Sequence, residues 1–213
     1  MPLLMMDLDN TLVDRDAAFR TGVTEFLAAH RLPAEDVDWI MEVDASGYAT
    51  RAVVSQAIID RYGDGLDQGE VIASLRRGAR QHARVTAETE AALREARAAG
   101  HQVVIVTNGA VPQQTGKITA SGLDRLVDAW VVSEGVGSRK PEPGIFHAAA
   151  AAVGAGLDGA WMIGDRDDAD ILGAHRLGLQ SAWLHLGRTW SRTAYASTHI
   201  ADSVAEAIKH AAG

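Results

Sequence analysis

Hydrophobic residues gather in short, unbroken runs along much of the chain. Leu3 to Met6, Val103 to Val106, Trp130 to Val132, Trp161 to Ile163 and Ser181 to Leu186 are largely apolar without alternation, and each ends in polar or glycine residues. A strand buried on both faces carries this signature, because neither side of its pleat meets water. Helical patterns separate the later runs. Strand, helix, strand repetition from about Thr86 onward predicts an α/β fold, a doubly wound, Rossmann-like core with a parallel sheet.

Between Asp14 and Val85 the period changes. Apolar residues recur three and four positions apart, as in Phe19, Val23, Phe26 and Leu27, then Val53, Val54, Ala57 and Ile58, then Val71, Ile72 and Leu75. That is the stripe of an amphipathic helix. Polar breakers at Arg31 to Asp36 and Arg61 to Gly69 separate the stripes. The expected organisation is an α/β core of residues 1–13 and 86–213, interrupted by an all-helical insert over 14–85.

Composition narrows this picture. In 213 residues there are 38 alanines and only 11 aromatic residues, so the apolar material is small and suits helices packed closely on a sheet. The absence of cysteine excludes disulfides, thiol nucleophiles and thiolate metal sites. A net charge of −8 offers no electrostatic footprint for nucleic acid or an anionic membrane. Met1 to Met6 lacks the basic flank and long apolar region of a leader, and no apolar run reaches about 18 residues. A cytoplasmic protein without membrane or nucleic-acid partners is the expectation, with its oligomeric state left open.

Four groups of residues then carry chemistry, each at the end of a predicted strand. Asp7 and Asp9 flank Leu8 directly after the first run, so strand alternation turns both carboxylates to one side. Gly164-Asp165-Arg166-Asp167-Asp168-Ala169-Asp170 follows the fourth run. Such a cluster of carboxylates calls for a cation, and hard oxygen donors suit magnesium better than zinc or copper. Asp167 and Asp168 fit a helix N-terminus, leaving Asp165 as the ligand. Thr107-Asn108-Gly109 closes the second run with a hydroxyl and a turn that can cradle a phosphate. Lys140 stands beside Arg139, Pro141 and Pro143, and it is one of three lysines against 17 arginines. Gly154 to Gly159 matches a dinucleotide-binding pattern but leads from helix to strand, the wrong order. Gly109 to Lys117 has P-loop echoes but lacks the spacing and the terminal hydroxyl. The eight histidines show no ligand spacing and are assigned to surface and helix positions.

Taken in order, Asp7-x-Asp9-x-Thr11, Thr107-Asn108-Gly109, Lys140-Pro141 and Gly164-Asp165-x4-Asp170 resemble the motifs of the haloacid dehalogenase-like (HAD) hydrolase superfamily. The helical insert resembles the cap of its first subclass. This resemblance implies a magnesium-dependent phosphatase acting on a small phosphorylated metabolite through an aspartyl-phosphate. Asp7 is then the nucleophile, and Asp9 the acid and base. Thr107, Asn108 and Lys140 bind the phosphoryl group. Asp7, the carbonyl of Asp9, and Asp165 hold Mg2+, with Asp170 orienting its water shell. Dehalogenases of this type lack a carboxylate at the Asp9 position, so phosphate-ester chemistry is favoured. Phosphomutase chemistry stays open, as does a non-catalytic phosphoacceptor or phosphate-binding protein. Arg15, Asp16, Arg20, Tyr48 and Arg51 are the candidates for contacting substrate from the cap.

Overall fold

The first strand, β1 (Leu3–Met6), is buried at every position in the computed structural model, which describes residues 2–63 and 65–213. Met1, and Asp64 within the Arg61 to Gly69 breaker, lie outside the described residues. The chain then runs through four helices, α1 (Arg15–Ala29), α2 (Val37–Asp44), α3 (Arg51–Tyr62) and α4 (Gln68–Gln81). The α/β pattern resumes with α5 (Ala87–Ala98), β2 (Gln102–Thr107), α6 (Val111–Ser121), β3 (Ala129–Val132), α7 (Ser133–Val136) and α8 (Pro143–Ala152). It closes with β4 (Trp161–Gly164), α9 (Leu172–Leu177), β5 (Gln180–Leu184), β6 (His199–Ala201) and α10 (Val204–Ala212). Two compact units result, one of Met1–Val13 with Val85–Gly213 and one of Asp14–Arg84.

In the first unit all strand pairings are parallel and the strand order is β3-β2-β1-β4-β5-β6. The chain moves outward from β1 to β3 and then returns to the other side of β1 as β4. The carboxyl ends of β1 and β4 therefore flank a topological switch point, the place where open α/β sheets hold ligands. Leu3, Met5, Val104, Val106 and Met162 pack with Ile145, Phe146 and Ala149 of α8 in one buried cluster. Burial on both faces explains why the strands read as continuous apolar runs.

β6 was not expected from the hydropathy. It has three residues, and the turn-rich segment 185–198 that links it to its parallel neighbour β5 holds no helix. β5 also stops at Leu184, because Leu186 adopts a positive φ of 49° that a strand cannot continue. His101 departs from the surface assignment of the histidines: it is buried before β2, with one ring nitrogen 3.2 Å from the Pro2 carbonyl and the other 3.1 Å from that of Ala212.

The second unit is built on side-chain caps and one stripe. Asp14, Thr50 and Asp67 accept hydrogen bonds from Ala17, Val53 and Glu70 at the starts of α1, α3 and α4. Phe19, Val23, Phe26, Leu27, Ile40, Val54, Ile58, Val71 and Leu75 form its core. Val53 departs furthest from the expected stripe, 54% exposed, and Ala57 and Ile72 are only partly buried. α1 and α4 meet at a pair of glycines, where a Cβ on Gly22 would stand 2.8 Å from the Gly78 Cα. Backbones that close leave no room for any side chain.

Candidate active site

β1 ends at Met6, so Asp7 and Asp9 sit in the turn that follows, beyond the strand whose alternation was expected to align them. The Asp7 N–H still donates to the Ile163 carbonyl of β4 at 2.9 Å, which holds Asp7 over the switch point. Leu8 is fully buried beneath the turn. Asn10 takes a left-handed φ of 58°, a conformation its short side chain tolerates, and its N–H returns to the Val13 carbonyl at 2.8 Å. The Thr11 hydroxyl is buried without a hydrogen-bond partner.

Lys140 reaches into the middle of this group. Its Nζ lies 2.5 Å from Asp7 Oδ1, 2.6 Å from the Val106 carbonyl and 2.7 Å from Asp170 Oδ1. Two reciprocal bonds place the lysine: Asn108 Nδ2 donates to the Lys140 carbonyl at 3.0 Å and the Lys140 N–H donates to Asn108 Oδ1 at 2.9 Å. The Asn108 side chain thus joins the loop after β2 to the loop before α8. Burial alone lowers an ammonium pKa, but Asp170 and Asp7 outweigh it and the Lys140 value is raised.

On the β4 side, Asp165 is buried and Asp170 is fully enclosed. One oxygen each from Asp7, Asp165 and Asp170 come within 4.8 Å of one another. Residues 167–171 form a single wide helical turn rather than an ordinary helix N-terminus, with the Ile171 N–H, five residues on, bonded to the Arg166 carbonyl at 3.3 Å. Such π-turns swing side chains out of α-helical register and are frequent at functional sites. Asp170 Oδ2 accepts from the Arg166 N–H at 3.0 Å. The remaining two acids face other cations: Asp168 pairs with Arg166 at 2.8 Å and Asp167 with Arg192 at 2.5 Å.

Three carboxylates in one dry space repel each other. Burial first, then Lys140 acting against it, then Asp170 in the same sense, bring the Asp7 carboxyl up from 3.8 to about 7. Burial, Asp7 and Asp170 push Asp165 up to about 8. Both shifts come first from burial and then from the neighbouring acids, and a bound cation would oppose them. The donor set is all oxygen, buried and convergent, and so fits a hard divalent cation such as Mg2+.

Several neighbours escaped the sequence reading. Arg188 donates to the Asp165 carbonyl at 2.6 Å and to its Oδ2 at 3.2 Å, and the Trp183 indole N–H donates to the same carbonyl at 2.9 Å. Lys117 Nζ bonds both oxygens of Asp9, at 2.6 and 2.7 Å. Gln114 Nε2 donates to Asp9 Oδ2 at 2.9 Å and to the Thr107 hydroxyl at 2.6 Å. The lysine shortage was a usable signal for Lys117, which shares a helix face with Gln114 three residues earlier. A cleft of about 410 Å³ opens beside this turn, lined by Asn108, Gly109, Ser133, Glu134, Ser138 and Arg139 among others.

Within the helical unit, one buried acid engages two of the substrate-contact candidates. Arg15 and Arg51 both bind the fully buried Asp44, and their guanidinium groups lie 4.8 and 4.0 Å from the Phe19 ring centroid. Burial opposes ionisation of Asp44, but the two arginines prevail and lower its pKa. Arg15 also pairs with Asp16 at 2.7 Å, and Arg20 pairs with Asp38 on the surface at 2.7 Å. Tyr48 is 51% exposed.

Comparison with known proteins completes the description of the site. A family model for haloacid dehalogenase-like hydrolases matches residues 1–178. The chain belongs to this family. It is similar to a phosphoserine phosphatase of Thermus thermophilus, 26% identical over 88% of this chain and 90% of that one. A shorter match, 33% identical over 42% of this chain and 37% of the other, links it to a glyceraldehyde 3-phosphate phosphatase of Pyrococcus abyssi. Among solved structures, the HAD-hydrolase YfnB from Bacillus subtilis bound to magnesium superposes with a TM-score of 0.80 at 21% identity, covering 99% of this chain and 98% of that one. The HAD fold is thereby shared across both units.

Proposed function

We propose that this HAD hydrolase is a Mg2+-dependent phosphatase that cleaves small phosphate monoesters through an aspartyl-phosphate on Asp7. The observation that carries the reading is the pairing of two unlike carboxylates in one turn. Asp7 is buried against Lys140 and two further acids, whereas Asp9, two residues on, is turned to a different set of donors. One is placed to attack phosphorus and the other to handle protons.

In this reading an Asp7 oxygen bonds to phosphorus as the bond to the ester oxygen breaks. Asp9 delivers its proton to that departing oxygen, which would otherwise leave as a costly alkoxide. In the second half, Asp9 takes a proton from water as the water oxygen bonds to phosphorus and Asp7 is released. Lys140 balances charge on Asp7 and on the phosphoryl oxygens, and the Thr107 hydroxyl and the Asn108 N–H receive the phosphoryl group at the end of β2. Asp7, the Asp9 carbonyl and Asp165 would hold Mg2+, with Asp170 behind them, and the ion would supply the charge neutralisation that lets an anionic nucleophile meet an anionic ester. A halide leaves without a proton, so a carboxylate at Asp9 favours ester cleavage. The phosphatase names of the Thermus and Pyrococcus relatives point the same way. The helical unit, Asp14–Arg84, is the proposed cap.

The test is phosphate release from p-nitrophenyl phosphate and a panel of sugar, polyol, amino-acid and nucleotide monophosphates, with Mg2+ and with a chelator. Turnover should require Mg2+, and Asp7→Asn should lower kcat by at least about 10³-fold. Undiminished turnover in Asp7→Asn, or silence across the panel, refutes the reading.

A further inference from the structure

Asp9 carries the proton transfers in the proposed reaction, and a carboxylate can do so only if its oxygens are aimed. An aspartate side chain has two rotatable bonds and several staggered choices. Here one helix supplies two donors to the Asp9 carboxylate. Lys117 Nζ lies 2.6 Å from Oδ1 and 2.7 Å from Oδ2, and Gln114 Nε2 lies 2.9 Å from Oδ2. Charge-assisted bonds to both oxygens select a single orientation more firmly than one neutral bond could.

The two donors are themselves buried and anchored. Lys117 is 6% exposed and Gln114 is 2% exposed, although both sit on a helix with ample access to water elsewhere. Gln114 also donates to the Thr107 hydroxyl at 2.6 Å and to the Asn108 carbonyl at 3.3 Å. One amide therefore ties the proton-transfer carboxylate to the turn proposed to receive the phosphoryl group. Of three lysines in the chain, two lie in this site, Lys140 on Asp7 and Lys117 on Asp9. Each proposed catalytic aspartate has a buried lysine of its own.

We propose that Lys117 and Gln114 are positioning residues that fix the carboxylate of Asp9, and that its proton transfer depends on them. The proposal rests on the acid and base role of Asp9 given above, so its test must separate the two. The helix face formed by residues 114 and 117 of α6 aims Asp9 without touching substrate, whereas Asp9 remains the catalytic residue.

The experiment compares wild type, Lys117→Met, Lys117→Arg, Gln114→Leu, Asp9→Asn and the Asp9→Asn/Lys117→Met double variant. Each is assayed on p-nitrophenyl phosphate and on the alkyl monophosphate turned over fastest in the panel. Nitrophenolate departs with little help from an acid, whereas an alkoxide needs the proton. Lys117→Met should lose about 10- to 100-fold in kcat on the alkyl ester and clearly less on the aryl ester, with KM within about threefold. Lys117→Arg should recover part of the loss, Gln114→Leu should show a smaller loss of the same kind, and the double variant should be no slower than Asp9→Asn. Thermal melts identify any variant that does not fold; should Lys117→Met be one, Lys117→Arg and Gln114→Leu decide. Wild-type kcat on both esters in the Lys117 variants, beside an impaired Asp9→Asn, overturns the positioning role alone. Equal losses on the two esters that add to those of Asp9→Asn also overturn it. Full alkyl-ester turnover in Asp9→Asn overturns the acid and base role and the positioning role together.

Discussion

A Cβ built on Gly164 would lie 2.1 Å from Asp170 Oδ2 and 2.4 Å from its Cγ. The glycine at the end of β4 is thus the space into which the Asp170 carboxylate folds, with Lys140 and the Arg166 N–H holding the carboxylate there. Because Asp170 is fully buried, it has no second position to retreat to. Gly164→Ala should therefore displace Asp170 and loosen Lys140 and Asp165 with it. Residues that orient metal ligands typically carry about 10- to 100-fold in metal affinity. We expect the Mg2+ concentration for half-maximal activity to rise by about that factor, measured by titrating activity with Mg2+. An unchanged midpoint would remove Asp170 from any role at the metal.

Elements differ in how openly the sequence declares them, and the reason is burial. β1, β2 and β4 lie in the middle of the sheet, so their residues are apolar on both faces and their ends are marked by Asp7, Thr107 and Gly164. β6 at the sheet edge has three residues and an exposed Ile200, and its hydropathy gives no sign of it. Gln114 was hidden too, and Lys117 was marked only by the rarity of lysine, since such residues on an amphipathic helix ordinarily face water; the turn after β1 folding back onto α6 makes them partners of Asp9. Helix packing in the second unit was hidden for a related reason, because a glycine inside a helical stripe reads as a gap. Gly22 of α1 and Gly78 of α4 instead mark the closest approach of the two backbones. A methyl group there meets main-chain atoms that cannot rotate away, so α1 and α4 must part. Gly22→Ala should cost about 1–3 kcal/mol, read from urea denaturation, even though alanine is the better helix former.

At the scale of the whole molecule, the carboxylate cluster makes stability a function of pH and of cations together. Asp7 and Asp165 titrate near 3.8 in the unfolded chain but at about 7 and about 8 when folded without a cation. Between those limits the folded protein holds protons that the unfolded chain has released. The contribution is fully present below pH 3.8 and is lost as pH rises through 7 to 8, the opposite of the usual salt-bridged carboxylate. Asp44 and Asp168, whose pKa values are lowered by arginine partners, act in the usual sense and matter only on acidification. In chelator, the Tm should fall between pH 5.5 and 8.0. Millimolar Mg2+ binds the deprotonated cluster, so it should raise the Tm more at pH 8.0 than at pH 5.5. Asp7→Asn removes one charge from the cluster without changing its shape. Its melting curves in chelator should be flatter with pH and should cross above the wild type toward pH 8.0, while its response to Mg2+ shrinks. The difference between the two proteins isolates the cluster from every other titrating group in the chain. Parallel pH profiles for wild type and Asp7→Asn would show that the buried carboxylates are neutralised within the fold and have no need of a cation.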